Sequence, residues 1–292
     1  MDKKEIKTFA ATLGISEIGV SKAEFLTELY TILTDQREIY GACPFEEESV
    51  ERRCNPVQLL EGAKSIITCL FPYYSPKLYP VNLSRYACIK DYHHVAGEKL
   101  HAIAEYISRQ CGGKSVCFTD NGPLCDRYLA QRSGLGFYGK NHMLINERFG
   151  SYFFIGSLIT TVELETDEPC RQSCMDCGQC LRFCPGGALS VNGFNYKRCI
   201  SYLTQAKDLT EEQKELLNSR ETAYGCDVCQ EVCPHNQGID ESIMKEFAEK
   251  TLESLPKEIL TMSNREFRKV YRDYPFVWCG RKTIARNLQK KT

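Results

Sequence analysis

No apolar run in the 292-residue sequence is long enough to span a bilayer, and the opening Met1-Asp2-Lys3-Lys4 leads into no apolar signal segment. These absences predict a cytoplasmic chain whose thiols stay reduced. Charge of one sign is lacking too. Lys and Arg number 37 against 38 Asp and Glu, a formal net charge of -1, so no global field points to nucleic acid. Neither a membrane nor DNA is expected as a partner. No low-complexity linker divides the chain, and no internal repeat occurs beyond two runs of cysteine. With 42% hydrophobic residues, the chain can bury one large core or two modest ones.

What is abundant is cysteine. Cys174, Cys177, Cys180 and Cys184-Pro185 form the run C-x-x-C-x-x-C-x-x-x-C-P, and Cys226, Cys229 and Cys233-Pro234 form a partial second run. In such a run three thiolates on one loop grip one cubane while the fourth points at the other cluster. Held crosswise in this way, Cys174, Cys177, Cys180 and Cys233 take one [4Fe–4S] cluster, and Cys184, Cys226 and Cys229 take three corners of the second. Cys199 is the nearest unassigned thiol and receives the vacancy; Cys170 is its competitor. A zinc site is disfavoured, because a triplet at this spacing overfills one tetrahedral ion. Disulfides are disfavoured by the reducing compartment.

Along the chain, Ile6, Phe9, Ala10 and Leu13 fall at helical spacing before Gly14. Ser65–Phe71 and Ser115–Phe118 read as buried strands, with Leu100, Ile103, Ala104 and Ile107 lining a helix between them that Gly112-Gly113 closes. A further helix is expected from Pro123 to Gly134, then strands at 142–146 and 151–162 paired as a hairpin. Residues 240–272 and 281–290 are expected to be helical. The fold class is therefore α/β (α+β). Residues 1–164 form the catalytic domain, 165–238 a bacterial-ferredoxin-like double-cluster module and 239–292 a short helical, basic segment. From Arg265 onward, nine Lys or Arg (Arg265, Arg268, Lys269, Arg272, Arg281, Lys282, Arg286, Lys290, Lys291) outnumber Glu266 and Asp273, a surplus of seven. This is a solvated helix face or a phosphate-binding surface.

Clusters move electrons, so the first 165 residues must use them. Glycines at 134, 136 and 139 would allow close backbone approach or positive φ at turns, and Asp120 after a strand could cap a helix. Arg53-Cys54-Asn55-Pro56, Gly62-Ala63-Lys64-Ser65, Arg85-Tyr86-Ala87 with Asp91-Tyr92-His93, the Asp120 and Gly134–Asn141 segments, both cysteine runs, Gly225–Pro234 and Arg286-Asn287 together resemble the epoxyqueuosine reductase family. The resemblance runs almost end to end, and the family's cluster ligation includes the position of Cys199.

That resemblance implies a reaction. A cobalamin bound without its lower base is reduced by the clusters to a nucleophilic Co(I) state, which drives loss of the epoxide oxygen from epoxyqueuosine at the wobble position of tRNA. The family's proton donor matches Asp120, a role that needs its carboxyl protonated near neutral pH through burial against corrin or substrate. Arg53 and Cys88 match positions near the corrinoid, and Lys140, Asn141 and Ser151 lie on segments expected to face it, with Tyr92 and His93 as further lining. No Asp-x-His-x-x-Gly motif occurs, as expected where no histidine holds the metal from below. The implied partners are a tRNA anticodon stem-loop and a low-potential donor such as a flavodoxin or ferredoxin.

Departures concern tRNA more than cofactor. Many members continue past Arg286-Asn287 into a helical-repeat domain, whereas this sequence stops at Thr292. Phe137-Tyr138, Pro185-Gly186-Gly187 and Tyr202–Ala206 also differ from the usual pattern. The basic C-terminal stretch could grip phosphates instead. Two other readings are a corrinoid iron–sulfur reductase of a small molecule, as the reductive dehalogenases are, and a non-catalytic electron carrier. A carrier has no need of Asp120, Arg53 and the Gly134–Asn141 loop together.

Overall fold

A computed structural model describes residues 1–289; Lys290 and Lys291 of the basic stretch lie outside them. Helix α1 (Lys3–Thr12) starts at a capping box between Asp2 and Glu5 and ends before Gly14, whose φ is 78°. There follow β1 (Glu17–Lys22), α2 (Thr27–Tyr40), α3 (Val50–Cys54), β2 (Ser65–Pro72), α4 (Tyr92–Cys111), β3 (Ser115–Thr119), α5 (Asp126–Arg132), β4 (Phe137–Tyr138), β5 (Leu144–Ile145) and β6 (Phe153–Thr160). The main sheet has the order β1-β2-β6-β3 with every pairing antiparallel. Alternation of helix and strand thus yields the α+β form. The inner strands β2 and β6 are buried along nearly their whole length, which is why Ser65–Phe71 reads as one apolar run without polar alternation. Gly156 in β6 is required by packing, since a Cβ there would lie 2.7 Å from Leu100 of α4.

The expected hairpin of 142–146 with 151–162 does not form. Strand β6 is apolar on both faces and pairs on both edges, with β2 and β3, while β5 pairs with β4. The helix expected from Pro123 begins only at Asp126 and ends at Arg132.

The chain divides into two compact units, residues 1–72 with 93–175, and residues 73–92 with 176–292. In the first, Leu26, Leu29, Leu33, Ile66, Leu129 and Ile159 belong to one apolar cluster. The second contains α6 (Gln179–Phe183), β7 (Leu189–Ser190) paired with β8 (Gly193–Phe194), α7 (Ile200–Gln205), α8 (Glu211–Asn218), α9 (Val228–Glu231), α10 (Lys245–Ala248), α11 (Asn264–Tyr271) and α12 (Gly280–Leu288). The helix expected over 240–272 is therefore broken. Pro256 has no N–H to donate, and Ser263 restarts the chain with a capping box to Glu266. Segment 73–92 is stitched into this unit by backbone bonds from Val81 to Glu253, Ser84 to Tyr224, Leu252 to Cys88 and Asp91 to Asp273.

Candidate functional site

In the first unit, the acid candidate stands just beyond β3. Asp120 has φ 60°, a left-handed conformation uncommon for a side chain with a Cβ and recurrent at functional sites. Its carboxylate is 63% exposed and lies 3.7 Å from Nε2 of His93, in the first turn of α4. Arg53, in α3, is 8% exposed and donates to Glu46 at 2.5 Å. Its Nε is buried with no partner among the described residues.

Asp126, the first residue of α5, accepts from Ser157 Oγ at 3.3 Å. Burial pushes its carboxyl up to about 7, the charge of Asp120 pushes the same way, and Arg127 and Arg53 oppose both. Arg53, Asp120 and Asp126 therefore share one electrostatic neighbourhood. Nothing in the sequence marked Asp126, which looks like any acidic residue in a helix's first turn.

Lys140, Asn141 and Ser151 belong to the β4–β6 stretch. Lys140 is exposed, while Asn141 and Ser151 are buried, and Asn141 Oδ1 accepts from the Met143 amide at 3.1 Å. The nearby glycines serve the chain's own packing. Gly134 has φ 76°, a Cβ on Gly136 would lie 2.3 Å from the Ile145 carbonyl, and one on Gly139 would meet Asn141.

Cys88 belongs to the second unit. It is fully buried, with Sγ 3.4 Å from the Ser84 carbonyl oxygen, and burial pushes its thiol up to about 12. In the same unit Asp227 accepts from the Arg85 amide at 2.6 Å, and the Arg85 guanidinium donates to the Ser75 and Leu78 carbonyls. Burial raises the Asp227 carboxyl to about 6. The Arg85-Tyr86-Ala87 motif thus ties segment 73–92 to the residue that follows Cys226.

The cysteine module begins with α6, which is bracketed by thiols. Cys177 precedes it, buried Cys180 lies inside it and Cys184 caps its C-terminus. Cys184 Sγ accepts from the Ala188 amide at 3.3 Å, a bond of the kind that tunes cluster sulfur ligands. Cys199 is the N-cap of α7, and Cys233, extended before Pro234, opens a 3₁₀ turn much as Cys184 precedes Pro185. Burial raises the thiol of Cys226 to about 11, with Cys199 contributing; Cys229 is pushed up by burial and then by Cys226, Cys199 and Cys184. These four thiols occupy one neighbourhood. Cys170, the competitor of Cys199, and Cys174 of the first run both belong to the first unit. Among the described residues no group of three or more His, Cys, Asp or Glu is placed to hold a metal ion; a cubane takes one thiolate at each iron corner. For a corrinoid, the Arg53 Nε, without a partner among the described residues, offers a buried donor for a polar substituent.

Comparison with known proteins bears on both regions. Residues 173–236 match the 4Fe-4S double cluster binding domain, and residues 53–121 match the family described as epoxyqueuosine reductase QueG, DUF1730. The epoxyqueuosine reductase of Bacillus anthracis is 36% identical over 300 residues, covering 98% of this chain and 78% of that protein. That of Bacillus subtilis strain 168 is 35% identical over 299 residues, covering 98% and 77%. A crystal structure of epoxyqueuosine reductase with a tRNA-Tyr epoxyqueuosine-modified stem loop superposes with a TM-score of 0.91 at 34% identity, covering 98% of this chain and 79% of that one. With this likeness sustained along nearly its whole length, the chain belongs to the epoxyqueuosine reductase family, oxidoreductases that use cobalamin and two [4Fe–4S] clusters.

Proposed function

We infer that this chain reduces epoxyqueuosine to queuosine in tRNA, with Asp120 as proton donor and Cys174, Cys177, Cys180 and Cys233 holding one cluster and Cys184, Cys199, Cys226 and Cys229 the other. The observation that carries this reading is Asp120 itself, in a left-handed conformation 3.7 Å from His93, in a chain that retains both cysteine runs. The overall change consumes two electrons and two protons, turns the epoxide into a carbon–carbon double bond and releases its oxygen as water. The corrinoid, when bound, supplies the reducing equivalents at the epoxide.

The side chains manage the protons. Asp120 gives one to the departing oxygen, and its exposure in the uncomplexed chain leaves room for substrate to cover it and favour the neutral acid. His93, 3.7 Å away, holds the carboxyl in place and can return a proton after turnover. Arg53 orients the corrinoid through Nε, with Lys140, Asn141 and Ser151 of the same unit as further contacts; Cys88, a buried small hydrophobe, is carried over from the family resemblance. The tRNA partner is read as an anticodon stem-loop, in keeping with the epoxyqueuosine-modified tRNA stem loop bound by the related reductase; exposed Arg265, Arg268, Lys269 and Lys282 supply phosphate contacts. A flavodoxin or ferredoxin delivers electrons in the cytoplasm, where the thiols stay reduced. No helix among the described residues is long and apolar enough to cross a membrane.

The test is anaerobic reconstitution with iron, sulfide and cobalamin, then mass analysis of nucleosides from tRNA carrying epoxyqueuosine. Queuosine, one oxygen lighter, is the expected product, and cobalamin should bind with a base-off visible spectrum. Unchanged epoxyqueuosine from an enzyme holding all cofactors would favour a small-molecule substrate.

A further inference from the structure

We propose that Asn287, locked in place by Arg286, is a positioning residue that fixes Cys199 and Cys226 relative to one another at the second cluster. This rests on the reading of those two cysteines as ligands of one cluster.

Asn287 lies in α12, far along the chain from either cysteine, yet it is 2% exposed. Its amide nitrogen donates to the Thr204 carbonyl and to the Ala223 carbonyl, each at 2.7 Å. Its oxygen accepts from Arg286 Nε at 3.1 Å and from Nη2 at 2.9 Å. The amide can therefore sit only one way round, with both N–H groups toward the two carbonyls. Arg286 covers the neighbouring carbonyls of Leu203, Ala206 and Lys207, so the orphan acceptors at the C-terminal end of α7 are taken up by this pair.

The two carbonyls that Asn287 joins belong to the two ligand-bearing segments. Thr204 is near the end of α7, whose N-cap is Cys199, and Ala223 is three residues before Cys226. Further ties run in parallel. The Gly225 amide donates to Thr204 Oγ1 at 2.9 Å, Tyr224 OH donates to Gln205 at 3.1 Å, and Trp278 Nε1 donates to Tyr224 OH at 2.8 Å. A helix of fewer than two turns transmits displacement of its C-terminus directly to its N-cap. Release of the Asn287 bridge should accordingly let the thiols of Cys199 and Cys226 drift apart.

The experiment uses full-length chain purified anaerobically, with iron analysis, electron paramagnetic resonance of the reduced clusters and a redox titration. Asn287→Ala should lower iron from about eight toward about four per chain and erase or broaden one cluster's signal while the other stays as in the parent. Thr204→Val removes the hydroxyl that accepts from the Gly225 amide and donates to the Ser201 carbonyl within α7, and keeps the shape. It should retain iron but shift the signal and midpoint potential of the same cluster, and it decides the matter if Asn287→Ala does not fold. Arg281→Ala is the control for plain destabilisation of α12: Arg281 bonds the Ile259 and Leu260 carbonyls, away from both ligands, and its loss should lower the melting temperature with both signals intact. Cys199→Ala separates the two layers of inference. If Cys199→Ala retains both clusters, the ligand reading falls; if it loses one while Asn287→Ala and Thr204→Val match the parent in signal and potential, the positioning role falls.

Discussion

His93 Nε2 stands 3.7 Å from Asp120 Oδ2, joining the first turn of α4 to the strained residue beyond β3. A carboxyl meant to give up a proton needs a neighbour that fixes its direction without consuming it. Asp120→Asn, nearly isosteric, should keep both clusters and cobalamin yet lose about two to four orders of magnitude in turnover. His93→Gln should cost less, roughly tenfold, because it perturbs the acid without removing it. Single-turnover assays on modified tRNA check both, and normal turnover by Asp120→Asn would end the acid assignment.

Cys199 and Cys170 can be told apart by iron content. Cys199→Ala should retain about four of eight irons, and Cys170→Ala all of them. The reverse pattern in anaerobically purified protein would move the ligand to Cys170.

The basic C-terminal stretch holds two kinds of cation. Arg281 and Arg286 spend their donors on backbone carbonyls of the chain, so Arg286→Glu should destabilise folding, seen as a lower melting temperature. Lys282, Arg268 and Lys269 are exposed. Reversing these three to Glu should weaken tRNA binding and flatten its dependence on salt while the melting temperature holds, as titrations at two or more ionic strengths would read. Unchanged affinity would remove this surface from tRNA recognition.

Asp126 makes stability depend on pH. Its folded carboxyl titrates near 7 rather than at the ordinary 3.8, chiefly through burial. The folded state therefore binds more protons than the unfolded one between these values, and this residue's contribution, complete below pH 3.8, is lost as pH rises through 7. Asp126→Asn keeps the neutral form throughout. The gap in melting temperature between variant and parent should widen in the variant's favour from pH 5 to pH 8, and a constant gap would show that Asp126 is not the group responsible.

How much of this was legible in the sequence depended on range. The Cys174–Cys184 run sits on local chemistry, a loop, a short helix and a proline, and spacing alone describes it. Leu100, Ile103 and Ile107 declared α4 by period, and Gly14 and Gly112 declared helix ends by their need for positive φ. The pairing of β6 was misread, because a run apolar on both faces does not say which strands flank it. Strand β1 and helix α2 went unread, since neither has strong punctuation. Asp126 and the Arg53–Glu46 pair depend on contacts that only the folded chain creates. Arg286 was read as surface charge, and the structure spends it on carbonyls some 80 residues away in sequence.

Segment 73–92 carries a consequence in time. Its hydrogen-bonding partners Tyr224, Glu253 and Asp273 lie far downstream, so on the ribosome it emerges well before they do. At about 5–20 residues per second, the wait from Asp91 to Asp273 is on the order of 10–40 s. For that interval the segment, with Leu78, Leu83 and Ile89 that are buried in the finished protein, lacks these downstream backbone partners. Slow translation or premature termination beyond the first unit should thus expose a sticky segment whose upstream and downstream neighbours in sequence, β2 and α4, are already capable of folding. Expression yield of C-terminally shortened versions should fall long before any cluster ligand is lost, first as α12 goes with Arg286 and Asn287 and again once Asp273 is removed.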